Sequence, residues 1–163
     1  MNDIDRSDIN MHIKRAHDSL KAINPHINQG KHFTMATPIS ERKGNLQKVL
    51  IANRGEIAKR FFLALHEESI PSVAVVTDPD KGQSWYDFAD EVVFIGEHSH
   101  YSDPYIIIAA AQLINANAVY SGYGFLSENP EFVRIIDTLN RTSAQPLIFM
   151  GPGFDAMDIM ATR

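Results

Sequence analysis

Two textures of hydrophobic and polar positions divide the chain near residue 48. From Ser7 to Ile23 the apolar residues Ile9, Ile13, Ala16, Leu20 and Ile23 recur at three- and four-residue steps. That spacing predicts a helix with one narrow apolar stripe, capped by Ser7 or Asp8 and ended by Asn24-Pro25. Residues 24 to 47 mix Asn, Gln, Gly, Ser, Thr, Pro and charge without a period and read as a linker. From Lys48 onward short apolar runs alternate with helical periods. VLIA at 49 to 52 is too dense for a half-exposed strand and predicts a parallel strand covered on both faces. Glu56 to Glu68 follows with Ile57, Phe61, Ala64 and Leu65 at helical spacing, and with Glu56 near the positive helix start.

The alternation continues to the last residue. SVAVVT at 72 to 77 is the second strand and Asp78-Pro79-Asp80 its turn; Trp85 to Ala89 allows only a short helix before the third strand, EVVFI at 91 to 95. Pro104 opens a helix through Tyr105, Ile108, Ala111 and Gln112 to about Asn115. AVYSGYG at 118 to 124 is a fourth strand running into a glycine-flanked tyrosine. Ser127 or Asn129 caps the next helix, which starts at Pro130 and runs through Phe132, Ile135, Ile136 and Leu139. LIFM at 147 to 150 is the fifth strand, and Gly151-Pro152-Gly153 turns into a final helix over Asp155 to Ala161. Five strands separated by helices predict an α/β fold, a Rossmann-like doubly wound parallel sheet preceded by an N-terminal helix and linker. The domain division is therefore 1–47 as an extension and 48–163 as the folded domain. Ligands of such sheets bind at the carboxyl ends of the strands.

The chain has 163 residues, 44% hydrophobic and 21% charged, which suits one core and excludes two full enzymatic domains. Residues 1 to 47 hold seven Lys+Arg against five Asp+Glu, and residues 48 to 163 eight against fifteen, so the extension reads as an appendage on an acidic domain. The net charge of −5 opposes a phosphate-tracking nucleic-acid binder. No apolar run approaches the roughly 18 residues of a membrane helix. Asp3, Asp5 and Asp8 oppose a transit peptide, and with no cysteine there is neither a disulfide scaffold, a thiolate metal site nor a thiol nucleophile. The expected location is cytoplasmic.

The first strand-to-helix turn holds one glycine, Gly55, rather than the three of a dinucleotide fingerprint, and no Walker loop is present. Arg54 beside that helix start either binds an anion or pairs with an acidic neighbour such as Glu56 or Glu128. Gly122-Tyr123-Gly124 leaves backbone amides accessible and offers a ring on which a planar ligand can rest; by spacing alone it also reads as a purely structural turn. Ser121 lies in YSGYG with no histidine downstream, which dismisses a serine nucleophile. Asp78, Asp80, Asp87, Asp90 and Glu91 read as solvated loop charges rather than a magnesium site. His12, His17, His26 and His32 lack a ligand spacing and read as a solvated tail. No catalytic residue and no metal ligand is assigned.

KVLIANRGEIAKR at 48 to 60, ADEVVFIG at 89 to 96, GYGFLSENPEF at 122 to 132 and IFMGP at 148 to 152, in this order, resemble the biotin carboxylases, the ATP-dependent component of acyl-CoA and pyruvate carboxylases. The resemblance implies the Rossmann-like domain that precedes an ATP-grasp module. It implies a reaction in which ATP, with magnesium, activates bicarbonate for transfer to biotin. The partners implied are a biotin carboxyl carrier protein or domain, a carboxyltransferase and a second copy of the enzyme in a homodimer. By the same resemblance Tyr123 and Gly124 contact biotin, Arg163 stands where the family has an ATP-contacting lysine, and Arg60 and Glu67 belong to the dimer interface. Tyr120-Ser121 replaces a His-Pro pair, and Leu63 an arginine. The ATP-grasp loop, the magnesium carboxylates and the bicarbonate-gripping residues are expected beyond Arg163, so the chain alone is expected to be inactive. The alternative is a free-standing Rossmann-like dimerisation or regulatory module without catalysis.

Overall fold

Asp5 begins the first helix in the computed structural model, which describes residues 4–28 and 45–162. Its side chain accepts a hydrogen bond from Ser7 N at 2.9 Å, and α1 runs Arg6–Ile23. The cap thus lies ahead of both Ser7 and Asp8. Asn24 ends α1, and Pro25–Asn28 forms a single further turn, α2, so the stretch expected as a linker opens with helix. The rest of that stretch up to residue 44 lies outside the described residues.

Five strands follow: β1 (Val49–Ile51), β2 (Ser72–Thr77), β3 (Glu91–Gly96), β4 (Ala118–Tyr120) and β5 (Ile148–Phe149). All pair in parallel, in the order β3-β2-β1-β4-β5. Between and after them lie α3 (Gly55–Glu67), α4 (Pro104–Leu113), α5 (Pro130–Asn140) and α6 (Phe154–Ala161). The segment expected as a short helix at Trp85 is a 3-10 turn, Ser84–Phe88. Asp103 caps α4 through Tyr105 N and Ile106 N, and Asn129, rather than Ser127, caps α5 through Phe132 N. Among the described residues no helix is long and apolar enough to cross a membrane.

Both faces of the sheet are covered, which is why its strands are dense in apolar residues. Val49, Ile51, Ala74, Val76 and Ala118 cluster with Ala58, Phe62 and Leu65 of α3. The α3 stripe differs from the expected one: Ala64 is exposed and Ile57 and Phe61 are half-buried. Neighbouring Phe61 and Phe62 each complete a helical stripe, and the sheet selects Phe62. On the other face Leu50, Val73, Val75, Val93 and Val119 cluster with α4, α5 and α1.

That last contact corrects the picture of an appendage. Ile9, Ile13, Ala16 and Leu20 of α1 are buried in the main core, while Ile23 remains 45% exposed. At the end of α1 the buried Asn24 donates from Nδ2 to Phe94 O and accepts Phe94 N on Oδ1, both at 2.8 Å. The side-chain amide thereby closes the outer edge of β3 as a neighbouring strand would. The histidines of the extension are not a solvated tail either. His12 stacks on Tyr105 with ring centroids 4.7 Å apart, His17 Nε2 lies 2.8 Å from Gln112 Oε1, and His26 Nε2 lies 3.1 Å from Val92 O. His32 lies outside the described residues.

Candidate functional site

The chain moves outward in one direction through β1, β2 and β3 and in the other through β4 and β5, so the order reverses between β1 and β4. A doubly wound sheet opens a crevice at the carboxyl ends of such a pair. The loops that meet there are Asn53-Arg54 after β1 and 121–124 after β4. The backbone ladder between the two strands closes with Ala52 N donating to Tyr120 O at 2.8 Å. Asn53, only 2% exposed, continues the pairing with its side chain: Nδ2 donates to Ser121 O at 2.8 Å and to Tyr123 O at 2.7 Å. Its Oδ1 accepts Arg54 N at 2.8 Å.

Gly122 and Gly124 adopt φ of +65° and +72°, and Phe125 follows at 48°. Gly122 is required twice over, because a Cβ there would sit 3.0 Å from Ile57 Cγ2 and 3.2 Å from Asn53 Nδ2. A Cβ at Gly124 would meet nothing within 4 Å. Between them the Tyr123 side chain stands 78% exposed. An aromatic ring held out of the core beside open backbone is a surface for a flat ligand.

Beneath this loop lies a polar network. Asp80 is fully buried and accepts from Arg54 Nε at 2.8 Å and from Arg54 Nη2, from Tyr101 Oη at 2.8 Å, from Gln83 Nε2 at 3.2 Å and from Thr77 Oγ1 at 3.3 Å. Arg54 therefore pairs with Asp80, not with Glu56 or Glu128, and Asp80 is no solvated loop charge. Three more of that set are engaged: Asp90 Oδ2 accepts Ser72 N at 2.8 Å, Glu91 pairs with Lys48 at 2.8 Å, and on the surface Asp78 pairs with Lys81 at 2.7 Å. The Arg54 hydrogen bond holds the Asp80 carboxyl below its ordinary value against the opposing effect of burial. The same bond raises the Arg54 guanidinium, and burial followed by Asp80 pushes the Tyr101 phenol up. Tyr101 in turn packs on Phe125, with ring centroids 5.0 Å apart, so the network supports the β4 loop from below.

The loops at the switch point thus carry Tyr123 and Gly124, and neither Arg60 nor Glu67. Those two are exposed on α3, opposite its buried stripe, with Leu63, 43% exposed, between them. Arg163 lies outside the described residues. Among the described residues no three His, Asp or Glu side chains gather to hold a metal ion. Five participants were not singled out as site residues from sequence: Asn53, Thr77, Gln83, Tyr101 and Phe125. Asn53 had a signal, a polar amide between an apolar strand and a helix-starting glycine, whereas Tyr101 had none.

Residues 45–157 match the family of the biotin carboxylase N-terminal domain. The chain belongs to that family. Biotin carboxylase 1 of Bacillus subtilis is 38% identical over 122 residues, covering 72% of this chain and 26% of the relative. Pyruvate carboxylase of the same organism is 38% identical over 123 residues, covering 73% of this chain and 10% of the relative. Among solved structures, biotin carboxylase in its β,γ-ATP complex from Campylobacter jejuni superposes with a TM-score of 0.64 at 37% identity, covering 71% of this chain and 25% of that one. The chain accordingly spans about a quarter of the biotin carboxylases it matches and about a tenth of the pyruvate carboxylases. The helices α1 and α2 precede the matched region.

Proposed function

We propose that this domain supplies the biotin-facing loop and one subunit contact of an ATP-dependent biotin carboxylase. The observation that carries the proposal is the Tyr123 ring, 78% exposed on a loop held from below, at the point where the strand order reverses. Its flat face suits the ureido ring of biotin, and the missing Cβ of Gly124 leaves the approach to the backbone clear. ATP with magnesium supplies the activated carboxyl group when bound. By the family's pattern the ligands of that metal lie in the ATP-grasp module. Arg163 is the family's ATP contact by position; it keeps the charge but presents a planar fork instead of a compact ammonium. Without the ATP-binding groups the domain is inactive alone.

The α3 face with Arg60, Leu63 and Glu67 is the proposed homodimer contact, a biotin carboxyl carrier protein or domain delivers biotin, and a carboxyltransferase takes the carboxyl group onward, all in the cytoplasm. The test is Tyr123→Ala in the complete carboxylase, assayed for ATP-dependent carboxylation of free biotin. Removing the stacked ring should lower kcat/KM for biotin about tenfold and leave Tm in place, because the side chain is exposed. An unchanged kcat/KM removes Tyr123 from the site and favours the dimerisation or regulatory module.

A further inference from the structure

We infer that Asn53 is the positioning residue for Tyr123, acting as a side-chain extension of the β1–β4 ladder. The inference rests on the reading of Tyr123 as the biotin-facing ring. A primary amide has two N–H donors and one carbonyl. Here both hydrogens go to the carbonyls of Ser121 and Tyr123, and the carbonyl takes Arg54 N. Both donors are spent inside the protein, and at 2% exposure the group is out of reach of solvent.

The segment it holds needs such an anchor. Three of the four residues from 122 to 125 lie in the left-handed region of φ, and two of these are glycines with the widest conformational freedom. The last backbone bond of the ladder is Ala52 N to Tyr120 O, so nothing in the ladder itself reaches Tyr123. The amide of Asn53 grips the carbonyls on either side of Gly122, and Gly122 lacks a Cβ where that amide passes. Fixing the Tyr123 carbonyl fixes the Cα from which the ring projects. A ring pre-placed in this way spares the ligand the cost of ordering the loop.

Asn53→Asp keeps the shape but replaces the NH2 group, with its two N–H donors, by one carboxylate oxygen facing both carbonyls, and Asn53→Ala removes the donors without adding charge. Two measurements separate positioning from general stability: amide hydrogen exchange at 122–125 in the 163-residue chain, and KM for free biotin against KM for ATP in the complete carboxylase. Both variants should speed exchange at 122–125 about tenfold relative to β1 and β4, and raise KM for biotin about tenfold with KM for ATP unchanged. Wild-type exchange in a folded Asn53→Ala, or a parallel rise of both KM values, overturns the inference. If Asn53→Asp does not fold, the uncharged variant decides. If the loop loosens while neither Asn53→Ala nor Tyr123→Ala moves KM for biotin, the anchor stands and the biotin reading falls.

Discussion

Asp80 collects donors from three loops at once: Arg54 after β1, Thr77 and Gln83 around the end of β2, and Tyr101 after β3. A buried carboxylate is tolerable only when surrounded in this way. Asp80→Asn leaves the Arg54 guanidinium without its counter-charge and aims an NH2 group at other donors. Because the Arg54 side chain is 39% exposed, the cost should fall below the full range for a buried pair, at about 2–3 kcal/mol, a fall in Tm of roughly 5–10 °C. The sign with pH follows from the lowered carboxyl. Its stabilisation is present above the ordinary value of 3.8 and is lost as pH falls through the lower folded value. The difference in stability between wild type and Asp80→Asn should therefore shrink below about pH 4, and a constant difference down to pH 2 would remove Asp80 from this role. The pairing was not legible in the sequence, because Arg54 and Asp80 are 26 positions apart while Glu56 offers the same charge nearby. The placing of Asn53 after its strand was a signal, but its partners were hidden for the same reason, the acceptors lying 68 and 70 positions away. The unusual backbone at 122–124 was legible because the glycines that flank Tyr123 announce it within three residues.

The strands and helices were legible wherever one period ran uninterrupted. SVAVVT is a strand over Ser72–Thr77, as its apolar run predicts, and α5 starts at Pro130 behind its Asn129 cap. Boundaries were missed where several residues compete for one role. Asp5, Ser7 and Asp8 are all good capping residues, and only the hydrogen bond from Ser7 N selects Asp5. What no periodicity encodes is the use of the α1 terminus on the sheet edge, where Asn24 bonds both polar groups of Phe94. Replacing it tests this directly. Asn24→Leu fills the buried site with carbon and leaves the Phe94 N–H and carbonyl without partners, at a cost of about 1–3 kcal/mol. The Phe94 amide should exchange at least tenfold faster while amides facing β2 keep their protection. Equal protection in both proteins would mean that something other than Asn24 closes the edge.

Because α1 and α2 precede the matched region yet share its core, the core of this chain extends beyond the residues that match the family. The charge split at residue 47 suggested an appendage, but charge reports the solvent side of a helix, and the stripe of Ile9, Ile13, Ala16 and Leu20 decides where it packs. Removing residues 1–44 tests which description holds. The truncated chain keeps all five strands but uncovers the part of the α4 and β3 surface against which α1 packs, in an aliphatic core shared with Ile9, Ile13 and Leu20. Those aliphatic groups gain on the order of 1.5–3 kcal/mol each from full burial, so losing their cover cannot be neutral. It also frees the outer edge of β3, which Asn24 now closes. Two exposed features of this kind on one side of the sheet favour association of one copy with another. Light scattering should show the truncated protein self-associating at concentrations where the full chain does not, with dye binding that reports exposed apolar surface and a lower Tm. A truncated protein with the same mass in solution and the same Tm as the full chain would mean that α1 only rests on a core complete without it, restoring the appendage that charge alone suggested.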